Sequence, residues 1–299
     1  MRVLITGAAG QLGRALAAAA PAGTQVRACA HAELDIADEA AVGALFASLG
    51  PQLVINAAAF TRVDEAERDP AAAARANTAG PRVLAAACRT AGAWLTHVST
   101  DFVFDGRQGH PYAPGAQPNP LSVYGRTKLE GETAVLGELA GQCAVVRASW
   151  LYSAAGGFAA RMLSFMKSRP ELRVVCDQVG APTHAAGLAG VLWALSARRA
   201  AGLWHWCDSG VASWYDFAVA IGEEAVRAGL LQAAPLIAPI GSADYPTAAQ
   251  RPAYSVLDKR ATEKLLGLTA PHWRTALRAT LAELRASAWA APGSGGARP

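Results

Sequence analysis

Short apolar runs rich in β-branched residues alternate with longer amphipathic stretches through the first half of the chain. Val3-Leu4-Ile5, within residues 2–6, reads as a buried strand, and further strands are expected at about 24–28, 53–56, 94–99 and 144–147. The segments between them have helical character. One covers 14–20, and a second runs over 38–49 with Asp38 as its N-cap. A third is opened by Asp69-Pro70 and continues to about Gly92, and a fourth spans 121–139. Strands alternating with helices argue for βαβ units on a parallel sheet. The predicted fold class is α/β, a Rossmann-like doubly wound parallel sheet.

Beyond residue 150 the alternation loosens, and Trp, Pro and Gly become frequent. This predicts a dinucleotide-binding domain over 1–150 and a smaller C-terminal lobe, mainly substrate-binding, over 151–289. Some lobe segments are expected to return to the first domain. Residues 105–120 are rich in Gly and Pro and read as a loop. Residues 290–299 lack periodicity and read as a disordered tail.

The first strand runs straight into Gly7-Ala8-Ala9-Gly10-Gln11-Leu12-Gly13. Glycines at this spacing allow a tight turn, close backbone approach to phosphate and close helix–strand packing. The helix that follows presents free N–H groups and a positive dipole to a pyrophosphate. In an Ala- and Gly-rich chain the same letters also suit a surface turn, but the strand before and the helix after favour a dinucleotide site. Rossmann folds often end the second strand with an acid for the adenosine ribose. Here Cys29-Ala30-His31 follows, and the first carboxylates are Glu33 and Asp35. Without that acid, and with Arg27 or His31 nearby, NADPH is expected, with NADH also possible. Asp35-Ile36 either lies near the adenine or, as a solvated Asp, caps the next helix.

Candidate chemistry lies at Ser99-Thr100-Asp101 and at Tyr124 and Lys128. Residues four apart on a helix share a face, so Tyr124 and Lys128 point together. An ammonium beside a tyrosine favours the phenolate and lowers the tyrosine pKa. The pair then suits proton transfer near neutral pH, with the Thr100 hydroxyl holding a carbonyl oxygen. Asp101 either contacts substrate or caps the turn after its strand. His97, inside an expected buried strand, reads as structural, and Trp204-His205-Trp206 as packing.

Charged residues are 17% of the chain and the net charge is only +4, with basic residues scattered; nucleic-acid binding is not expected. The apolar run 185–197 is too short to span a bilayer. Five widely spaced cysteines without a metal-ligand pattern suggest free thiols in a reducing cytoplasm, and no metal is expected. A strand beginning at residue 2 leaves no room for a signal peptide ahead of it.

Taken together, these motifs resemble the extended short-chain dehydrogenases/reductases, and within them the dTDP-4-dehydrorhamnose reductase family. The resemblance runs over nearly the whole chain. It includes residues 7–13, Asn56 to Thr61 with Val63, Asp64 and Glu67, residues 99–106 and 120–132. It continues through 147–152, 177–183, Arg251-Pro252, Ser255, Leu257 and Asp258. It implies NAD(P)H-dependent reduction of the 4-keto group of dTDP-4-dehydro-L-rhamnose, with Thr100, Tyr124 and Lys128 catalytic. Cofactor contacts are implied at Gly7, Gly10, Gln11, Leu12, Gly13, Asp35, Ile36, Ala57, Ala58, Ala59, Thr61, Ser99, Tyr124 and Lys128.

Substrate contacts are implied at Thr100, Asp101, Trp150, Gln178, Pro182, Thr183 and Arg251. Trp150 is expected to pack on sugar or base, or else in the core. Arg251 is expected to pair its guanidinium fork with the diphosphate, or else to be a surface residue. Two departures bear on the reading. Ala30 stands where members often carry Asp, and Ala15 where some carry a Glu of a metal-bridged dimer, so monomer and homodimer both remain open. Other readings are a different nucleotide-sugar reductase or epimerase, and a non-catalytic regulatory subunit of methionine adenosyltransferase.

Overall fold

The computed structural model describes residues 1–290, with side chains to 286. In chain order, β1 (Arg2–Thr6) leads through α1 (Gln11–Ala18) to β2 (Gln25–Cys29), and α2 (Glu39–Leu49) leads to β3 (Leu53–Asn56). Three helices, α3 (Val63–Arg68), α4 (Pro70–Ala74) and α5 (Gly80–Ala91), precede β4 (Trp94–Thr100). α6 (Val123–Leu139) joins it to β5 (Cys143–Ala148). Then come β6 (Leu151–Tyr152), α7 (Gly157–Met166), β7 (Glu171–Val175), β8 (Val179–Gly180), β9 (Thr183–His184) and α8 (Ala185–Ala197). The chain continues with β10 (Gly202–Trp206), β11 (Ala212–Ser213), α9 (Trp214–Arg227), β12 (Leu236–Ile240), α10 (Arg260–Leu266) and α11 (Trp273–Ala290).

Six strands form one parallel sheet in the order β10-β5-β4-β3-β1-β2. Its strands bury both faces, which is why Val3 to Ile5, Leu53 to Ile55 and Cys143 to Val146 are unbroken apolar runs within β1, β3 and β5. Alternate side chains feed two cores. Val3, Ile5, Leu12, Leu16, Leu188 and Leu192 pack on the α1/α8 side. Leu4, Val54, Leu84, Leu95, Val135 and Val145 pack on the α2/α5/α6 side. Each fully buried aliphatic contributes roughly 1.5–3 kcal/mol. The direction of sheet growth reverses between β1 and β3, which opens a crevice at their carboxyl ends.

β10 pairs with β5 in this sheet, and α8 packs against α1. The smaller lobe has its own core around Tyr152, Met162, Leu163, Phe217, Trp273 and Leu277. α11 runs to Ala290, and the expected tail beyond it lies outside the described residues. No helix among the described residues is long and apolar enough to cross a membrane.

Element ends differ from expectation where backbone geometry decides. α1 starts at Gln11 rather than 14, because Gly10 is extended and the helix begins directly after the glycine turn. Asp38 caps α2 by accepting the Ala41 N–H at 3.0 Å, as expected. The segment opened by Asp69-Pro70 is not one regular helix: a π-helical turn at Arg75–Ala79 separates α4 from α5. The inserted residue turns Asn77 inward, where it accepts the Phe60 N–H at 2.8 Å and donates to the Phe60 carbonyl at 3.1 Å and Thr127 Oγ1 at 3.2 Å. α6 crosses this bulge at Gly131, where a Cβ would lie 2.1 Å from the Asn77 carbonyl oxygen.

Candidate active site

A cleft of about 1030 Å³ opens along the carboxyl ends of β1, β3, β4 and β5. Its floor is the glycine turn, and Gly7, Gly10, Gln11, Leu12 and Gly13 all line it. Gly7 has φ +71, and a Cβ there would lie 2.6 Å from Ala58 N; at Gly13 it would lie 2.2 Å from the Gly7 oxygen. Turn and strand end therefore fit together only without side chains. Gly10, the N-cap of α1, makes no side-chain cap, so the first amides of the helix are left for an anion. Ser99 Oγ, buried and without a hydrogen-bond partner among the described residues, belongs to a cleft residue. This cradle fits a dinucleotide.

A buried polar ladder fixes the strand ends beneath it. Thr6 Oγ1 donates to Asn56 Oδ1 at 2.6 Å, and Asn56 Nδ2 meets His97 Nδ1 at 2.9 Å. The Ala58 N–H donates to the same Asn56 oxygen at 3.1 Å, which sets Ala57, Ala58 and Ala59 along the cleft with Thr61 beyond. His97 is fully buried, and its burial, with the nearby Lys128 charge, holds its pKa well below the usual histidine range. It is structural, as expected.

Asp35 and Ile36 line the outer end of the cleft. Asp35 does not cap α2. It accepts the Ala37 N–H at 2.9 Å and pairs with Arg75 at 2.7 Å, and these contacts, the Ala37 bond foremost, hold its carboxyl below the usual range. Arg75 and His31 line the same end.

The opposite wall gathers Thr100, Asp101, Tyr124, Lys128 and Trp150. α6 begins at Ser122, whose hydroxyl caps Gly125 N–H at 3.1 Å, so Tyr124 and Lys128 occupy its first turns. The electrostatics differ from the expected lysine-activated tyrosine. Lys128 Nζ donates to the Val98 carbonyl at 2.7 Å, and burial lowers its pKa to about 8. Burial also pushes Tyr124 up to about 12, with Thr100 drawing it down and Asp101 adding to the rise. The shift at Tyr124 is thus upward, opposite to the lowered tyrosine pKa that the Lys128 spacing led one to expect. Thr100 Oγ1 donates to Asp101 Oδ1 at 3.2 Å and accepts the Phe102 N–H at 3.1 Å, capping its turn as well as facing the cleft. Asp101 is 2% exposed, and burial raises its pKa to about 6.

Arg251 lines the cleft but is not an isolated cation. Its guanidinium grips Asp64 through Nη2–Oδ2 at 2.7 Å and Nη1–Oδ1 at 3.2 Å, and the Asp64 carboxyl is held below its usual range by Arg251. Gln11 reaches across to the lobe, accepting Ser153 Oγ at 3.0 Å. Gln178, Pro182 and Thr183 are not among the lining residues. Gln178 donates to Ser242 Oγ at 2.9 Å, and Pro182 and Thr183 are buried behind the wall. Trp214 lines the cleft and was not singled out in the sequence, where its only signal is the helix-start pattern Ser213-Trp214-Tyr215-Asp216. Among the described residues no cluster of three or more His, Cys, Asp or Glu is placed to hold a metal ion.

Comparison with known proteins agrees with this geometry. The model of the RmlD substrate binding domain family matches residues 1–286. A dTDP-4-dehydrorhamnose reductase of Aggregatibacter actinomycetemcomitans is 39% identical over 93% of this chain and 97% of its own length. One from Streptomyces griseus is 43% identical over 92% of this chain and 91% of its own. The crystal structure of the Bacillus anthracis dTDP-4-dehydrorhamnose reductase in complex with NADP superposes with a TM-score of 0.89. It is 33% identical and covers 94% of this chain and 99% of that one. A glycine cradle facing a threonine, tyrosine and lysine is thus found in a chain that belongs to the RmlD substrate binding domain family, the family of the dTDP-4-dehydrorhamnose reductases.

Proposed function

We propose that this enzyme reduces the 4-keto group of dTDP-4-dehydro-L-rhamnose to dTDP-L-rhamnose at the expense of a nicotinamide dinucleotide. The observation that carries the reading is the convergence of Thr100, Tyr124 and Lys128 on the cleft whose floor is the Gly7–Gly13 turn. When bound, the dinucleotide supplies hydride to the carbonyl carbon. The chain's own residues do the rest. Gly7, Gly10 and Gly13 admit the pyrophosphate to the amides of α1. Thr100 turns its hydroxyl from Asp101 to the keto oxygen and orients it. Tyr124, its pKa raised by burial, gives its proton to the oxygen as negative charge develops there. Lys128, anchored by the Val98 carbonyl, would hold the nicotinamide ribose.

Trp150 lies on the sugar side, and Arg251, with Asp64 beside it, meets the diphosphate. Gln178, Pro182 and Thr183 act only by supporting the wall. NADPH is the preferred reductant and NADH is also accepted. Ala30 stands where an acid would end β2, the Glu33 carboxylate on its N–H is paired with Arg27, Asp35 is paired with Arg75, and His31 lies alongside. The Bacillus anthracis relative holds NADP. We place the enzyme in the cytoplasm, where its five free cysteines, four of them buried, remain thiols.

The test is oxidation of NADPH and of NADH followed at 340 nm with enzymatically generated dTDP-4-dehydro-L-rhamnose, the product identified by NMR. Turnover to dTDP-L-rhamnose, faster with NADPH, is expected. A protein that binds dinucleotide but turns over with neither refutes the reading.

A further inference from the structure

Trp150 is held in an arrangement that its own backbone opposes. It takes φ +47, a left-handed conformation that is a true outlier for a bulky side chain and persists only where surrounding structure imposes it. Two neighbours hold the indole. Its Cε2 and Nε1 lie against Gly180 of β8, where a Cβ would come within 2.6 Å of Trp150 Cε2 and 2.7 Å of Nε1. One face stacks on Trp214, with ring centroids 3.5 Å apart and planes 5° from parallel.

Full face-to-face overlap is not what two aromatic rings choose for themselves, since their quadrupoles favour offset or edge contacts. Trp214 is itself locked. Ser213 Oγ accepts the Asp216 N–H at 3.0 Å and Asp216 Oδ2 accepts the Ser213 N–H at 2.8 Å, a reciprocal cap that fixes the first turn of α9. β11 pairs with β8 so that Ala212 faces Gly180 and Ser213 faces Val179, which puts both supports of the indole on one ribbon of the lobe. Phe158 closes the far side of Trp214, with centroids 4.7 Å apart.

We propose that Trp214 is a positioning residue for the nucleotide sugar. It acts through Trp150, pressing that indole into the cleft as a rigid apolar wall for the pyranose ring, with Gly180 giving the indole room. The proposal rests on the reaction assigned above. It places specificity for the sugar in the β8–β11 ribbon of the lobe, away from the Thr100, Tyr124 and Lys128 that carry the proton chemistry.

The experiment compares W214A, W214F and G180A with the wild type in turnover of dTDP-4-dehydro-L-rhamnose. Calorimetric binding of dTDP-L-rhamnose and of NADPH is measured on the same proteins. W214A is expected to raise KM and weaken dTDP-L-rhamnose binding about tenfold, with kcat within threefold and NADPH affinity unchanged. W214F keeps a stacking face and is expected within threefold of wild type throughout. G180A pushes the indole aside and should repeat the W214A pattern. An active wild type beside a W214A with unaltered KM and product binding overturns the proposal and leaves the reaction assignment standing. So does a W214F that loses as much as W214A. A wild type that neither turns over the sugar nor binds the product overturns the reaction assignment instead.

Discussion

Glu67 accepts the backbone N–H of Val123 at 2.7 Å, so a side chain of α3 caps the helix that carries Tyr124. Three residues away on α3, Asp64 grips Arg251 of the lobe. A short acidic helix thus ties Arg251 and the helix that carries Tyr124 to one support. Because Tyr124 is the second residue of α6, its direction depends on that first turn. E67A is expected to destabilise the fold by about 1 kcal/mol, the usual effect of losing a helix cap. It should also lower kcat several-fold with little change in NADPH affinity. E67Q, which keeps an acceptor oxygen, should stay near wild type. Urea melts and steady-state kinetics on the two variants check this, and equal losses in both would refute the capping role.

Removing the Tyr124 hydroxyl takes away the proposed proton donor and little else. Y124F is expected to lose two to four orders of magnitude in kcat, the range typical of general acids, while binding NADPH as before. Activity within tenfold of wild type would show that another group protonates the product.

Lys128 is 2% exposed, and burial lowers its pKa to about 8 from the 10.5 of an exposed lysine. Between pH 8 and 10.5 the unfolded chain therefore holds a proton that the folded chain has released. Stability must then rise with pH through that window, and the burial penalty is full below pH 8. K128M, inactive but free of the charge, is expected to melt above wild type at pH 7, with the difference shrinking towards pH 10. Paired thermal melts across that range decide; a constant difference would mean the lysine is not titrating there.

Arg147 and Glu132 are each 2% exposed and joined through Nε–Oε1 at 2.9 Å and Nη2–Oε2 at 2.6 Å, with Arg147 also over the Phe104 ring. Breaking one side of a buried pair leaves an uncompensated charge. R147M is expected to cost about 3–5 kcal/mol, and E132L/R147M to recover most of it. Denaturant unfolding of the single and double variants tests this. A double variant as unstable as the single one would place the loss in packing rather than in charge.

What the sequence made legible was local. The glycine turn, the strand ends at Asn56 and Thr100, and the tyrosine–lysine spacing each lie within a few residues and have one geometric solution. What escaped depends on distant partners. Nothing around Asp35 announces Arg75, forty positions later, nor does Arg251 announce Asp64. The expected lowering of the Tyr124 pKa met the same limit: the spacing put Lys128 on the same helix face, but burial raises the tyrosine and the Val98 carbonyl holds the lysine. Trp214 carries no signal of its own in the sequence; the pairing of β8 with β11 brings it onto Trp150. The helix from Asp69 to Gly92 had its cap and stop correctly placed. The π-helical turn inside it answers to Phe60 and Thr127, which no periodicity within the helix records.

The late return of β10 to the sheet has a consequence for synthesis on the ribosome. Every residue proposed for hydride and proton chemistry has emerged once α6 is made, yet β5 still lacks a neighbour on one side. Until Gly202–Trp206 arrives, its edge of unpaired N–H and C=O groups is open to any passing strand. The nascent chain therefore passes through an interval in which it carries Thr100, Tyr124 and Lys128 and an open sheet border together. A fragment cut near residue 150 would be trapped there, prone to aggregation rather than to dinucleotide binding.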